Sequence, residues 1–281
     1  MLKSFKDICK ELSKRMGVEP VDGSVGYRGF SRLDGLLGIN NGKGNLVAVA
    51  ARPGMGKNLF GVDVMLGGGR DSRFSEGRMV IFSGGMNAEQ YGDVMLRKLC
   101  GVESELIKAN KDVLAGLERC AATALGYMSS LQLYVDDEKD LTLPHVEQTL
   151  SSLGEVSLVL VESDVISPFK ASETDEAQVL EKWRGLWHIA RKYNATVIAL
   201  TGAKRALEGR RDKRPRMGDI REACGVRKYC DSAVLLYREA YYSMEKDAVD
   251  DGSAELIVAK NRHGVKKSLR AHFDVRTLRF T

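Results

Sequence analysis

No apolar run in this 281-residue chain approaches the roughly 18 residues that a membrane helix needs, which excludes a membrane span. The opening residues, Met-Leu-Lys-Ser-Phe-Lys-Asp, reach a carboxylate before any long apolar stretch, against a secretory signal. Cysteine is sparse and odd in number: Cys9, Cys100, Cys120, Cys224 and Cys230 are scattered, and no two have C-x-x-C spacing. The four histidines, His145, His188, His263 and His272, stand apart from one another. A disulfide framework and a structural zinc site are therefore both disfavoured, and the chain reads as reduced and cytoplasmic. Internal repeats and low-complexity tracts are absent.

What is present suits one large domain, or one domain with a short appendage. Hydrophobic residues at 43% and charged residues at 29% supply a sizeable core, excluding a disordered or collagen-like chain. The net charge of +5 is modest but unevenly spread. Seven basic residues fall between Lys204 and Arg216 against Glu208 and Asp212, and seven more between Lys260 and Arg279 against Asp274. An exposed anion such as nucleic acid suits both stretches, and so does a merely solvated face.

Along the chain, Leu2, Phe5, Ile8, Cys9, Leu12 and Met16 mark one face of a helix over 2–16. A connector rich in Gly, Asp and Pro follows, so residues 1–23 read as a separable arm, folded back or docked on a neighbour. From residue 24 onward, short apolar runs alternate with helix-period stretches. The runs are Leu46–Ala51, Met79–Ser83, Leu131–Val135, Leu158–Val161, Thr196–Leu200, Ala233–Tyr237 and Ala254–Lys260. Helices are predicted at 57–66, 87–99, 103–126, 143–153 and 174–193. This alternation predicts an α/β domain over 24–281 with a mostly parallel sheet between helices. Ser268–Phe280 alternates without a helix and predicts antiparallel edge structure.

The strand Leu46–Ala51 runs straight into Arg52-Pro53-Gly54-Met55-Gly56-Lys57-Asn58 and then a helical pattern. Gly54 and Gly56 let backbone N–H groups turn toward an anion, and Lys57 adds a positive charge at the helix start. Strand, loop and helix together predict a nucleotide-phosphate site.

The order of blocks resembles the RecA-like motor domain of DnaB-type replicative helicases. Gly29-Phe30-Ser31-Arg32-Leu33-Asp34 resembles that family's motif ahead of the phosphate loop. Ala51-Arg52-Pro53 with Met55-Gly56-Lys57 is similar to its form of Walker A. Phe82-Ser83, Met86 and Ala88-Glu89-Gln90 resemble its second block. Asp212-Lys213-Arg214-Pro215, Asp219-Ile220-Arg221-Glu222 and Leu236-Tyr237-Arg238 resemble the block that faces DNA. Ala259-Lys260-Asn261-Arg262-His263-Gly264 resembles its arginine-finger strand. The resemblance implies a RecA-like fold, a ring of six, ATP or ADP with Mg²⁺ between subunits, and single-stranded DNA in the ring. It also implies that helix 2–16 corresponds to the linker helix that docks on the adjacent subunit.

Against that pattern, several groups are missing. The family's Ser or Thr after the lysine, a Mg²⁺ ligand, is Asn58, whose amide oxygen has a longer arm. The Walker B aspartate position holds Glu162, leaving Asn58 and Glu162 as candidate metal ligands. Asp164, two residues on, reads as surface, roughly 6–7 Å further along an extended strand. Where the family carries the glutamate that polarises water stands Gly85; loss of a positioned base typically costs on the order of 10²–10⁴ in rate. The glutamine that senses the terminal phosphate is replaced by Gly202.

Other positions match. By resemblance Lys260 and Arg262 reach a neighbour's γ-phosphate, an action worth about 10³–10⁵ in rate when supplied in trans; the alternative is a basic tail only. Arg221 and Glu222 match positions beside the single strand, Cys224 replaces a glycine there, and Arg227 and Lys228 add positive charge. Trp183, Trp187 and Tyr241-Tyr242 read as packing before base stacking, and Asp136-Asp137-Glu138 as an exposed turn. The expectation is a degenerate DnaB-like protein, deficient in hydrolysis, that binds nucleotide, single-stranded DNA or a helicase ring as regulator or scaffold. Two alternatives stay open: an active ATP-dependent helicase recruiting Asp164 or Glu89, and a structural protein with no nucleotide site.

Overall fold

The computed structural model describes residues 2–23, 25, 44–69, 71, 74, 76–102, 111–166, 176–242 and 250–281. The motif Gly29–Asp34 and the predicted helical residues 103–110 and 174–175 lie outside them. In chain order the elements are β1 (Leu2–Ser4), α1 (Phe5–Met16), β2 (Leu46–Ala51), α2 (Lys57–Gly68), β3 (Arg78–Phe82) and α3 (Ala88–Cys100). Then come α4 (Lys111–Ser130), β4 (Leu133–Asp136), α5 (Leu143–Leu153), β5 (Val156–Glu162), α6 (Glu176–Lys192) and β6 (Thr196–Gly202). The last are α7 (Ala223–Tyr229), β7 (Ser232–Tyr237), β8 (Ser253–Asn261), β9 (Ser268–Asp274) and β10 (Arg279–Phe280).

The strands form one sheet in the order β1-β4-β3-β5-β6-β2-β7-β8-β9-β10. From β4 to β7 every pairing is parallel, while β1 at one edge and β8 to β10 at the other are antiparallel. All seven predicted runs are strands, and the tail is antiparallel as its alternation predicts. Parallel strands need both faces covered, which explains why β2, β6 and β7 are buried at every residue. Val47, Val49 and Ala51 face a core shared with α1, α2, α3 and α4; Leu46, Ala48 and Ala50 face one shared with α5, α6 and α7.

The N-terminal arm begins differently from its periodicity. Leu2–Ser4 is a strand, because β4 offers a free edge: Leu2 registers with Asp136 and Ser4 with Tyr134. Ser4 then caps α1, accepting a hydrogen bond from Asp7 N–H at 3.2 Å. Phe5, Ile8, Cys9 and Leu12 are buried in this chain's own core, beside α3 and α4. Close approach depends on Gly92 of α3, where a Cβ would sit 2.8 Å from Ile8 and 2.9 Å from Leu12. The structure thus folds the arm back, where the resemblance implies docking on an adjacent subunit.

An unforeseen ion pair ties the C-terminal strand behind α2. Lys98 Nζ lies 2.8 Å from Asp63 Oδ1, both side chains fully buried. Lys98 also donates to the Leu278 carbonyl, and Phe280 N–H donates to Asp63 Oδ2 at 3.1 Å. Burial lowers the Lys98 pKa, and the Asp63 charge opposes that shift. Phe280 is thereby held edge-on to Phe60, ring centroids 5.5 Å apart, with its ring under the loop glycine Gly56. Lys98→Met, which leaves Asp63 buried without its cation, is expected to cost about 3–5 kcal/mol in urea unfolding. Adding Asp63→Asn, which still accepts from Phe280 N–H, is expected to recover part of that loss.

Candidate functional site

The chain leaves β2 at Ala51 and turns within five residues into α2. Gly54 and Gly56 take φ of 81° and 88°, values that favour glycine, and Gly56 N-caps α2. Met55 is the inward anchor of the turn, 1% exposed, with its N–H on the Arg52 carbonyl at 3.3 Å. Arg52 is tied down by Glu208 at 2.9 Å and the Ala203 carbonyl at 2.9 Å. The loop, including Pro53, forms one side of a cleft of about 450 Å³, walled opposite by Glu162, Asp164, Gly202 and Arg221. Glu162 and Gly202 are the C-terminal residues of β5 and β6, where open α/β sheets place ligands.

Lys57 Nζ lies 3.1 Å from Asp164 Oδ2. Asp164 Oδ1 in turn accepts from Thr201 Oγ1 at 3.3 Å and Gly202 N–H at 3.2 Å. Asp164 is exposed, as expected, but it stands on the wall of the cleft and not apart from it. Beyond Glu162 the chain enters a single 3₁₀ turn, Ser163–Val165, which swings Asp164 back over the cleft. Sequence spacing offered no signal for that turn.

Glu162 is 7% exposed, and its Oε1 gathers three donors: Ser83 Oγ at 2.9 Å, Tyr91 OH at 3.2 Å and Asn58 Nδ2 at 3.2 Å. Burial and the Glu162 charge push the Tyr91 hydroxyl pKa up, keeping it a donor. A Cβ at Gly85 would sit 3.1 Å from Glu162 Oε2, so the longer acid lies over the residue that lacks a side chain. Sequence reading names Ser83 only as part of the second block and gives no signal for Tyr91, since neither matches a catalytic role.

A nucleotide phosphate suits the cradle, with its turned backbone, Lys57 and the start of α2. A magnesium ion does not suit it in the family's manner. The position of the metal-binding hydroxyl presents an amide that donates to Glu162, so the predicted ligands Asn58 and Glu162 satisfy each other. No three of His, Cys, Asp or Glu among the described residues group to hold a metal.

The remaining predicted residues separate into four places. Arg221 lies at the cleft, its Nε 3.1 Å from where a Gly202 Cβ would be. Glu222 turns inward: it pairs with Lys182 and accepts from Trp183 Nε1 at 2.7 Å, and Trp183 is itself fully buried in the core. On α7, Arg227 and Lys228 are exposed while Cys224 is half-buried. Lys260 and Arg262 lie at the opposite edge of the sheet, since β8 runs antiparallel and Lys260 registers with Ala233 at the start of β7. Lys260 Nζ donates to the Arg227 carbonyl at 2.7 Å, and Arg262 pairs with Asp231 at 3.2 Å. Neither reaches this chain's own loop.

Of the weaker candidates, Tyr241 is 45% exposed with its ring against Gly54, and Tyr242 packs on the core. Asp136 is the last residue of β4, 1% exposed and bonded to Thr149 and His145, instead of part of an exposed turn. Asp137 accepts from Ala88 N–H at the start of α3. No helix among the described residues is long and apolar enough to cross a membrane.

Sheet order, loop and cleft define a RecA-like α/β domain, and solved structures agree on the fold. A DnaB-like replicative helicase, solved with attention to its interactions with primase, superimposes with a TM-score of 0.75 at 23% identity, covering 96% of this chain and 64% of that one. The RadB recombinase gives 0.53 at 18% identity, covering 90% and 98%. The chain belongs to the DnaB-like helicase C terminal domain family, which it matches over residues 27–281. It is 31% identical over 260 residues to the replicative DNA helicase DnaB of Leifsonia xyli subsp. xyli, covering 90% of this chain and 54% of that protein. To the probable plasmid replicative DNA helicase of Chlamydia psittaci it is 28% identical over 276 residues, covering 95% and 57%. The chain thus spans about half the length of the curated relatives it matches.

Asp164 competes with any incoming anion for Lys57. Asp164→Asn is expected to tighten ADP binding about three- to tenfold in titration calorimetry, a discounted figure for a partly exposed pair. Weaker binding in the variant would show that Asp164 holds Lys57 ready instead of holding it back.

Proposed function

We propose that this chain is a DnaB-like helicase domain of DNA replication that binds nucleotide but hydrolyses it poorly, acting on a helicase ring or single-stranded DNA as regulator or scaffold. The observation that carries this reading is the closed environment of Glu162. Its Oε1 is taken by Asn58, Ser83 and Tyr91, and Gly85 beside it supplies no second carboxylate to polarise water. Nucleotide, ATP or ADP, rests on the loop backbone and Lys57. Magnesium then contributes less than in the family at large, because residue 58 carries an amide that donates to Glu162 in place of a hydroxyl.

Lys260 and Arg262 support assembly. They lie too far around the sheet to serve their own cleft, but a neighbouring subunit in a ring would bring another cleft to that edge. A ring of copies of this chain and a mixed ring with a DnaB-type helicase both suit them. Single-stranded DNA rests on the exposed Arg227 and Lys228 together with the basic stretches. Parts of those stretches are neutralised internally, with Arg210 on Asp219 at 2.7 Å and Arg214 Nε on Glu255 at 2.9 Å. Binding is therefore expected to be weak, salt-dependent and indifferent to sequence.

Asp164 favours a second reading, an active helicase in which its carboxylate replaces the missing base. Steady-state ATP hydrolysis with and without single-stranded DNA separates the two. The proposed reading expects turnover no greater than in Lys57→Ala, and recovery of some activity when Gly85→Glu is combined with Asn58→Thr. Turnover that requires both Lys57 and Asp164 would establish the second reading in its place.

A further inference from the structure

The position of Arg221 explains why residue 202 is a glycine. By resemblance, residue 202 belongs to a glutamine that senses the terminal phosphate, and Arg221 to the DNA-facing block. In the structure the two meet. Arg221 N–H donates to the Gly202 carbonyl at 2.9 Å, and Ala203 bridges Ile220 in antiparallel fashion, so the Arg221 backbone is strapped to the end of β6. The side chain then crosses the space that a residue at 202 would fill: a Cβ on Gly202 would lie 3.1 Å from Nε, 3.2 Å from Cδ and 3.4 Å from Cζ. The next residue is fixed as well, since Glu222 is anchored by Lys182 and Trp183, and Lys182 Nζ also donates to the Ser163 carbonyl at 2.9 Å. The result is an exposed guanidinium at the mouth of the cleft, on the wall opposite Lys57.

We infer that Arg221 is a nucleotide-binding residue of this chain's own site, contacting the terminal phosphate of a nucleoside triphosphate, and that Gly202 is the clearing it requires. The inference rests on the proposed nucleotide site. The phosphate loop and Lys57 hold the inner phosphates of such a ligand, and the strand ends across the cleft face its outer end. The wall there carries two carboxylates, Glu162 and Asp164, which by themselves would repel a third phosphate. Glu162 is occupied by three donors and Asp164 by Lys57, Thr201 and Gly202. Arg221 supplies the positive charge on that side, with planar N–H donors suited to phosphate oxygens. A contact made by triphosphate and not by diphosphate gives the site a means to tell them apart even where it does not hydrolyse either.

The test is calorimetric titration of the 281-residue chain with ADP and with ATPγS, beside a salt-series titration with oligo(dT). Arg221→Ala is expected to lower the affinity for ATPγS relative to ADP by about tenfold or more, as expected for a lost charge-assisted hydrogen bond. Gly202→Ala, whose added methyl displaces the guanidinium, is expected to shift the ratio the same way. Gly202→Gln in the Arg221→Ala background is expected to restore part of it, because the amide then occupies the vacated space. An unchanged ratio in Arg221→Ala, with oligo(dT) binding weakened instead, would return Arg221 to the DNA surface and overturn the inference while leaving the nucleotide site intact. Failure of the wild-type chain to bind either nucleotide would overturn the nucleotide site and the inference together.

Discussion

The cleft depends on β2 having no free side. All six of its residues are buried, β6 and β7 bond to both its edges in parallel register, and helices cover both its faces. A strand so enclosed can release the chain only at its C-terminal end. The return into α2 must then be made in a few residues, with left-handed backbone at Gly54 and Gly56. Parallel pairing brings the ends of β5 and β6 to the same edge, which sets Glu162 and Gly202 across from Lys57. Behind the loop, Phe280 closes the packing, pinned by Asp63 and Lys98. Loop geometry is thus an outcome of sheet order and of a strand at the far end of the chain.

The substitutions that separate this site from its family complement one another physically. A hydroxyl replaced by the amide of Asn58 creates a donor, and Glu162 is the acceptor it meets. Glu162 is one methylene longer than an aspartate, and Gly85 offers it room. Removal of a side chain at Gly202 opens the path that Arg221 follows. Taken together they give a wall in which Glu162 is held by hydrogen bonds from Asn58, Ser83 and Tyr91. Asp164 belongs to the same arrangement, because it pairs with Lys57 across the cleft.

The element plan was legible because its signals are local. Strands buried on both faces write continuous apolar runs, helices write a 3.6-residue period, and a phosphate loop writes glycine where left-handed backbone is needed. The seven runs became strands for that reason. The arm was read less well: the helical period of Leu2–Met16 does not reveal that Leu2–Ser4 completes the edge of β4. Similarly, the Asp136-Asp137-Glu138 cluster looked solvent-facing because charge is local information, whereas the burial of Asp136 depends on α5 closing over it.

By itself, the sequence determined the alternating architecture, the glycine turn after β2 and the family, and the resemblance implies Asn58, Gly85, Glu162 and Gly202 as departures. Each of those follows from residue type at a position along the chain. Tertiary structure alone decided what surrounds them. Lys57 meets Asp164 across 107 residues and Asn58 meets Glu162 across 104, contacts that arise only when sheet order sets strand ends side by side. Likewise, the single turn after β5 makes the exposed Asp164 a partner of the loop lysine. The bridge between Ala203 and Ile220 brought Arg221 to the mouth of the cleft that Lys57 lines. Side-chain direction at a strand end is set by the next turn and the neighbouring strand, and neither is written in the residues that do the chemistry.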